Sequence, residues 1–393
     1  MIHPSVFFQC LNEEGIDFFA GVPDSLLKHF CTFIRQNVPE SNNIITQNEG
    51  GAVALAAGHY LATGHLPLVY MQNSGIGNAV NPLLSLADPE VYSLPMLLLI
   101  GYRGEPGVHD EPQHKKQGMV TPALLEAMRY PFFVLDSEPA EIIRHTKEAI
   151  KIAKDQKTPV ALIVKKGLFE EIPPLRAESN LEMTREEALE EISKLPGVLV
   201  STTGFTSREL FEIRERRKEG HERDFLTVGS MGHSSMIALG ISLAHPELPV
   251  TCIDGDGAFL MHLGMIAILG SRKPRNFTHI VINNGVHDSV GGQPTDIGAL
   301  DLIKLAAAAG YKKIDSVCTR EELYNALNMR KLQNAQSATH DEFSESFSFS
   351  GDSSGFRFIE VKARPGARKD LGRPTTTPQG NRDALMAFIK NNP

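Results

Sequence analysis

Residues 254–286, DGDGAFLMHLGMIAILGSRKPRNFTHIVINNGV, decide how this chain is read. Gly255-Asp256-Gly257 ends an apolar run over 250–253 and opens a helical pattern. Asn283-Asn284 ends a second apolar run over 278–282. Twenty-five residues separate Gly257 from Asn283, room for one helix and a strand that returns parallel to the first. Such a crossover sets Asp256 and Asn284 side by side at the carboxyl ends of neighbouring strands, where open α/β sheets bind ligands. Asp256 offers a carboxylate, Asn284 an amide oxygen and Val286 a backbone carbonyl, the hard oxygen donors that a divalent cation takes. The glycines let a diphosphate come close, and the amides near Gly257 and Ala258 point at it. A lone Gly-Asp-Gly is a common turn; the spacing, the Asn pair and the apolar flanks set this one apart.

Composition bounds the rest. The chain has 393 residues, 41% hydrophobic and 22% charged, which fits a globular protein of two to three domains with ample core. A net charge of −8, with no basic cluster interleaved with aromatics, argues against nucleic-acid binding. Cys10, Cys31, Cys252 and Cys318 are scattered without a Cys-x-x-Cys, as expected of reduced thiols in a cytoplasmic protein. No apolar run approaches the length of a membrane span, and MIHPSVFFQ lacks the pattern of a secretory leader. The expectation is a cytosolic protein.

Apolar runs and helical patterns alternate along the whole chain, which argues for parallel sheets covered on both faces. The first half is expected to place strands at 17–20, 43–46, 66–71, 94–100, 132–135 and 160–164. Its main helices are expected at 25–36, 49–63 and 138–154. The second half repeats the theme, with strands at 197–201, 225–228, 250–253, 278–282, 312–315 and 358–361. Its helices are expected at 207–218, 234–244, 258–269, 298–309, 320–329 and 382–390. The fold class is therefore α/β, two doubly wound parallel-sheet domains over 1–168 and 186–393, joined by a linker at 169–185 rich in Pro and charge. A polar, serine-rich stretch at 337–355 reads as a surface insertion.

The Gly-Asp-Gly…Asn-Asn segment resembles the signature of thiamine diphosphate enzymes. That resemblance implies Mg²⁺ held by Asp256, Asn284 and the carbonyl of Val286, with Gly255, Gly257, Ala258 and Asn284 against the diphosphate. It also implies a carboxyl group on the other domain, touching the aminopyrimidine N1′. The candidate is Glu49, which follows an expected strand and opens the Gly- and Ala-rich helix of ITQNEGGAVALAAGHYLATG. A glutamate there is also a common helix-terminal residue, but the small residues behind it suit close approach of something large. In Val228-Gly229-Ser230-Met231-Gly232, the resemblance makes Met231 the apolar wedge beneath the cofactor and gives the carbonyl of Gly229 to its 4′-amino group. Ser230 lies in the same turn. Thr206 and Ser207, at the start of an expected helix, are either diphosphate contacts or plain caps.

Across almost its whole length the chain resembles the phosphonopyruvate decarboxylase family, thiamine diphosphate-dependent 2-oxo acid decarboxylases. The stretches that carry the likeness are FFAGVPDSLLK (18–28), YMQNSGIGNAVNPLLSLADPEVY (70–92), LLLIGYRGEPGVHDEPQHKKQG (97–118), VGSMGHSSMIALG (228–240) and ARPGARKDLGRPTTTP (363–378). The implied fold has two thiamine diphosphate-binding domains, pyrimidine-binding and diphosphate-binding, with no middle domain. The implied reaction is decarboxylation of 3-phosphonopyruvate to phosphonoacetaldehyde and CO₂ in phosphonate biosynthesis, with thiamine diphosphate and Mg²⁺ as cofactors.

A substrate carrying a carboxylate and a phosphonate calls for fixed cations, and guanidinium suits phosphonate oxygens. Arg103, in the loop over 101–118, and Arg373, in the basic stretch 364–373, are the candidates. His109 and His114 are alternative proton donors to the product. Asp254 is expected behind the metal, orienting a ligand. Because Glu49 and Asp256 lie in different halves, the family pattern implies a site shared between subunits and a homodimer at least. Sulfopyruvate decarboxylase is the alternative within the class. Outside it stand a non-catalytic binding paralogue and a dinucleotide-binding oxidoreductase, for which Gly75-Ile-Gly77-Asn-Ala-Val80 supplies only half a fingerprint.

Overall fold

The computed structural model describes residues 1–135, 138–173, 179–335 and 355–392. The chain forms two compact units, Met1–Arg176 with His287–Thr295, and Ala177–Val286 with Asp296–Pro393. All but one residue of the serine-rich stretch at 337–355 lies outside the described residues.

The first unit holds strands β1 (Phe19–Gly21), β2 (Asn43–Ile45), β3 (Leu68–Gln72), β4 (Leu97–Gly101), β5 (Phe132–Leu135) and β6 (Val160–Val164). Between and around them run α1 (Pro4–Glu13), α2 (Lys28–Asn37), α3 (Glu49–Thr63), α4 (Ile76–Pro82), α5 (Pro112–Ala127) and α6 (Pro139–Gln156). The sheet order is β2-β1-β3-β4-β6-β5, every pairing parallel. Strand β4 shows why apolar runs form central strands here. Leu97 and Leu99 enter one buried cluster while Leu98 and Ile100 enter the other, so both faces of the sheet are covered.

The second unit holds β7 (Val198–Ser201), β8 (Asp224–Leu226), β9 (Val250–Gly255), β10 (Phe277–Asn283), β13 (Lys313–Val317) and β14 (Arg357–Lys362). The two-residue strands β11 (Val286–His287) and β12 (Gln293–Pro294) make a separate small ladder. Its helices are α7 (Arg185–Ile192), α8 (Phe205–Arg217), α9 (Ser234–Ala244), α10 (Asp256–Met261), α11 (Met265–Arg272), α12 (Leu302–Ala308), α13 (Arg320–Ala335) and α14 (Pro378–Asn391). The sheet order is β13-β14-β10-β9-β7-β8, again all parallel. If β7, β8, β9, β10, β13 and β14 are counted as strands one to six of their own unit, that order read backwards is 2-1-3-4-6-5. The first unit has the same order, so the two units share one topology.

Both sheets have a topological switch point between their first and third strands, β1/β3 and β7/β9, where the connections leave in opposite directions. The α/β class and the two doubly wound sheets anticipated from the sequence are what the chain forms. Several helices depart from expectation for local reasons. The helix expected from 25 begins at Lys28, because the Asp24 carboxylate accepts the Leu26 N–H at 2.7 Å and holds a turn instead. The single helix expected over 258–269 is two, since His262 leaves helical geometry (φ −131°, ψ 45°) and Gly264 starts the next. The helix expected from 298 starts at Leu302, where Asp301 caps it by accepting the Lys304 N–H at 3.0 Å.

Candidate active site

In the second unit the metal candidates converge on the carboxyl ends of β9 and β10. These strands pair in parallel with Gly255 opposite Ile282, so the residues that follow emerge together. Asp256 opens α10 and is 4% exposed. One carboxylate oxygen accepts the Gly257 N–H at 2.7 Å, and the other accepts the Gly285 N–H at 2.7 Å. The second bond draws the Asn283-Asn284-Gly285 turn against the Asp256 carboxylate, and Gly285 makes the turn possible at φ +73°. The Asn284 amide oxygen accepts the Val286 N–H at 3.1 Å. Asn283 is anchored from the neighbouring strand, where Glu360 accepts its amide N–H at 2.8 Å and also the Ser316 hydroxyl at 2.7 Å.

These donors are all oxygen, and a carboxylate, an amide oxygen and a main-chain carbonyl suit Mg²⁺ rather than a softer metal. A Cβ built on Gly255 meets no protein atom within 4 Å, so packing does not require glycine there and the space beside it is open. The hydroxyl of Thr202, just past β7 at the switch point, is buried without a hydrogen-bond partner among the described residues. Sequence reading passed over it, although a buried hydroxyl at that place suits a phosphate oxygen. Thr206 is buried in the first turn of α8, and the Ser207 hydroxyl donates back to the Gly204 carbonyl at 3.1 Å. The residues present therefore fit a diphosphate and its metal.

The Gly229-Ser230-Met231-Gly232 turn lies between β8 and α9, with Ser230 at φ +52° and Gly232 at φ +83°. A side chain at Gly232 would strike the His262 ring, 2.8 Å from the ideal Cβ. The His233 Nδ1 lies 3.3 Å from the Ser230 carbonyl and 3.2 Å from that of Met231, which ties the turn down. Asp254, two residues before Asp256, is buried. Its carboxylate lies 3.0 Å from His279 Nε2, in a buried cluster with Cys252 and, through His279, the Tyr311 hydroxyl. The reason is strand alternation, since Cys252 and Asp254 share one face of β9 and His279 stands opposite Cys252 on β10.

In the first unit Glu49 is the first residue of α3, behind the cap Asn48, whose side chain accepts the Gly51 N–H at 2.9 Å. Glu49 is 4% exposed, and Asn78 Nδ2 donates to its Oε2 at 2.7 Å. Burial pushes the carboxyl above its ordinary range, and the Asn78 hydrogen bond partly offsets that. Gly75 packs on the same carboxylate, which accounts for part of the Gly75-Ile-Gly77 pattern without a dinucleotide.

Five more buried or half-buried polar residues, Asp24, Gln72, Arg103, Asp110 and His114, lie at or beyond the carboxyl ends of β1, β3 and β4. Asp24 is fully buried, accepts the Gln72 amide N–H at 2.7 Å, and is pushed up by burial. Arg103 donates through Nε at 2.8 Å and Nη2 at 2.5 Å to Asp110, and through Nη1 at 2.8 Å to Ser25. Burial alone would raise Asp110, but the Arg103 hydrogen bonds and charge hold it down at about 2. His114, at the start of α5, is buried, and its Nδ1 has no partner among the described residues. Burial and the Arg103 charge bring it down to about 4, so near neutrality it is an uncharged imidazole. His109 lies exposed in the preceding loop. Asp24, Gln72, Asn78 and Asp110 were not singled out in the sequence; the only mark on Asp24 was its place in FFAGVPDSLLK, at a strand-to-helix turn.

The basic stretch 364–373 is pinned to the second unit. Arg368 pairs with Glu186 of α7 and Glu212 of α8, and the Gly372 N–H donates to Glu212 at 2.6 Å. Arg373 follows and is exposed.

Comparison with known proteins agrees with the geometry. Residues 4–124 match the thiamine pyrophosphate enzyme N-terminal TPP binding domain, and residues 203–340 match the C-terminal TPP binding domain. The chain is 33% identical to phosphonopyruvate decarboxylase of Streptomyces viridochromogenes, over 96% of this chain and 93% of that one. It is 34% identical to the Streptomyces hygroscopicus enzyme of the same name, over 96% and 92%. Sulfopyruvate decarboxylase of Methanosarcina acetivorans is 26% identical over 84% of this chain and 89% of its own. Two thiamine-binding units, with no third between them, and this degree of likeness along the whole length place the chain in the phosphonopyruvate decarboxylase family of thiamine pyrophosphate-dependent carboxy-lyases.

Proposed function

We propose that the chain decarboxylates 3-phosphonopyruvate to phosphonoacetaldehyde and CO₂, using thiamine diphosphate and Mg²⁺, in phosphonate biosynthesis. The observation that carries the cofactor reading is the 2.7 Å bond from the Gly285 N–H to Asp256, which gathers an all-oxygen donor set at two strand ends. On this reading Asp256, Asn284 and the Val286 carbonyl hold Mg²⁺, and Gly229, Ser230, Met231, Gly255, Gly257, Ala258 and Thr206 line the cofactor. When bound, thiamine diphosphate supplies the carbon nucleophile and the electron sink that release CO₂ from a 2-oxo acid. Glu49 shares a proton with the pyrimidine N1′, a task that suits a carboxyl whose charged form is disfavoured by burial. His114 or His109 is the proposed proton donor to the product carbon, His114 acting through the N–H of its neutral ring.

Arg103 and Arg373 are the proposed cations for the acidic end of the substrate. Asp110 already occupies the Arg103 fork, so a phosphonate dianion competes with that carboxylate for the same N–H groups. The proposed partner is a second copy of the chain, with Glu49 of one copy and Asp256 of the other meeting one cofactor. Mixing Glu49→Gln and Asp256→Ala chains should then restore activity that neither variant has alone. All four cysteines are free thiols, which suits a reducing cytoplasm. Among the described residues no helix is long and apolar enough to cross a membrane.

The likeness to a sulfopyruvate decarboxylase supports a second reading, in which sulfonate replaces phosphonate. Turnover of phosphonopyruvate, sulfopyruvate and pyruvate, followed by coupled aldehyde reduction with and without thiamine diphosphate and Mg²⁺, separates the two. Preference for sulfopyruvate would overturn the first reading, and turnover without added or bound cofactor would overturn both.

A further inference from the structure

We infer that Asn78 is a positioning residue for Glu49, aiming its carboxyl group and biasing which oxygen carries the proton. The inference rests on the reading of Glu49 as the carboxyl that shares a proton with the cofactor. Asn78 Nδ2 stands 2.7 Å from Glu49 Oε2. An amide N–H needs a lone pair on that oxygen, and a hydroxyl there would set donor against donor. Asn78 therefore biases the proton of the neutral acid toward Oε1.

Oε1 is placed by a second device. A Cβ on Gly75 would lie 2.3 Å from Oε1 and 2.5 Å from the carboxyl carbon, so any other residue would drive the carboxyl aside. Gly75 is not needed for its own backbone, which is right-handed at φ −71°. Gly50 serves the same contact from the other side, since a Cβ there would lie 2.9 Å from the Asn78 carbonyl oxygen. The two glycines let α3 and α4 approach until a side chain as short as asparagine reaches the glutamate. Burial disfavours the ionised form of Glu49, while the Asn78 N–H first and a main-chain N–H second favour it. Asn78 is thus the one side chain here that tunes how readily this carboxyl gives up its proton.

The test uses the full-length protein and its Asn78→Ala and Asn78→Asp variants, the second keeping the side-chain shape while replacing the donor with an acceptor. In cofactor-free protein, the infrared band of the neutral Glu49 carboxyl, assigned by its loss in Glu49→Gln, is followed against pH. It should persist to higher pH in Asn78→Ala than in the parent, and higher still in Asn78→Asp. Thiamine diphosphate affinity, measured by calorimetry with Mg²⁺, should stay within about threefold, while kcat falls about a hundredfold, as for a misaimed catalytic group. Titration at an unchanged or lower pH in both variants overturns the inference. So does a parallel loss of affinity and melting temperature with an unmoved pH profile, the mark of a purely structural residue. Full turnover by Glu49→Gln would instead remove the reading of Glu49 itself; an inactive Glu49→Gln beside an unmoved Asn78→Ala removes only the role of Asn78.

Discussion

At the scale of single residues, each unit carries one of the two acidic groups proposed for the cofactor, both buried, and the two are used differently. Glu49 is buried beside one amide donor, and its carboxyl is raised above the ordinary range. The sign of the stability effect follows from that direction. As pH climbs past the ordinary glutamate value, the unfolded chain releases this proton before the folded one does, so stability falls across that window and stays lower at neutrality. Glu49→Gln should therefore raise the melting temperature by a few degrees, about 2–4 °C per kcal/mol for domains of this size. The same variant should keep thiamine diphosphate binding and lose about 10²- to 10⁴-fold in kcat. Calorimetry and steady-state rates check both halves; a destabilised Glu49→Gln would contradict the burial argument. Asp256 instead accepts two main-chain N–H groups, and it is the proposed cation ligand. Asp256→Ala should weaken binding of the Mg²⁺–cofactor pair by more than about a hundredfold, the loss being at least that seen for residues behind a metal ligand. Calorimetric titration of both ligands, with circular dichroism to confirm the fold, reads this directly.

At the scale of elements, the loop between β4 and α5 carries two ion pairs, Arg103–Asp110 within it and Glu105–Lys165 at 2.9 Å to the end of β6. Asp110 accepts from Arg103 and from the Gly104 N–H, which fastens the loop to its own start. Asp110 is depressed to about 2, so its contribution to stability is complete above the ordinary aspartate range and disappears as pH falls toward 2. Asp110→Asn should speed hydrogen exchange across 103–112 and remove that acid-sensitive step. It should also lower KM for the 2-oxo acid about tenfold, the equivalent of ~1.4 kcal/mol, because on the proposed reading substrate no longer competes with a carboxylate for the Arg103 fork. An unchanged exchange rate would show that the loop is fastened elsewhere. What was legible in the sequence at this scale follows the range of the forces concerned. The strands, the Gly-Asp-Gly turn, the Asn pair and Glu49 at a helix start are marked by neighbours within a few residues. Asn78 reaches a partner 29 residues away and Gln72 one 48 residues away, and nothing local records either bond. The turn at Asp24 was hidden for a related reason, since it is set by a side chain that leaves the local periodicity unchanged. The contact of Asp254 with His279, 25 residues away on the next strand, is equally unrecorded locally.

At the scale of the whole molecule, one topology used twice supplies two switch-point crevices, and the proposed function asks one small molecule to engage residues of both units. That demand has a thermodynamic signature. A ligand present at a hundred times its Kd stabilises the state that binds it by about 2.7 kcal/mol, or roughly 5–10 °C for domains of this size. If the ligand engages both units, local unfolding of either one releases it, and both gain protection together. The chain contains no tryptophan, so amide exchange is a better reporter than fluorescence. Amides of β4 serve for the first unit and those of β10 for the second. Adding thiamine diphosphate and Mg²⁺ should slow exchange in both strands, and a chelator should reverse both effects. In Asp256→Ala neither strand should respond. Glu49→Gln should keep the response in β10, because the diphosphate end is untouched, and lose much of it in β4. Protection confined to β10 in the parent protein would mean that Glu49 does not meet the cofactor, and the proton-sharing role assigned to it would fall.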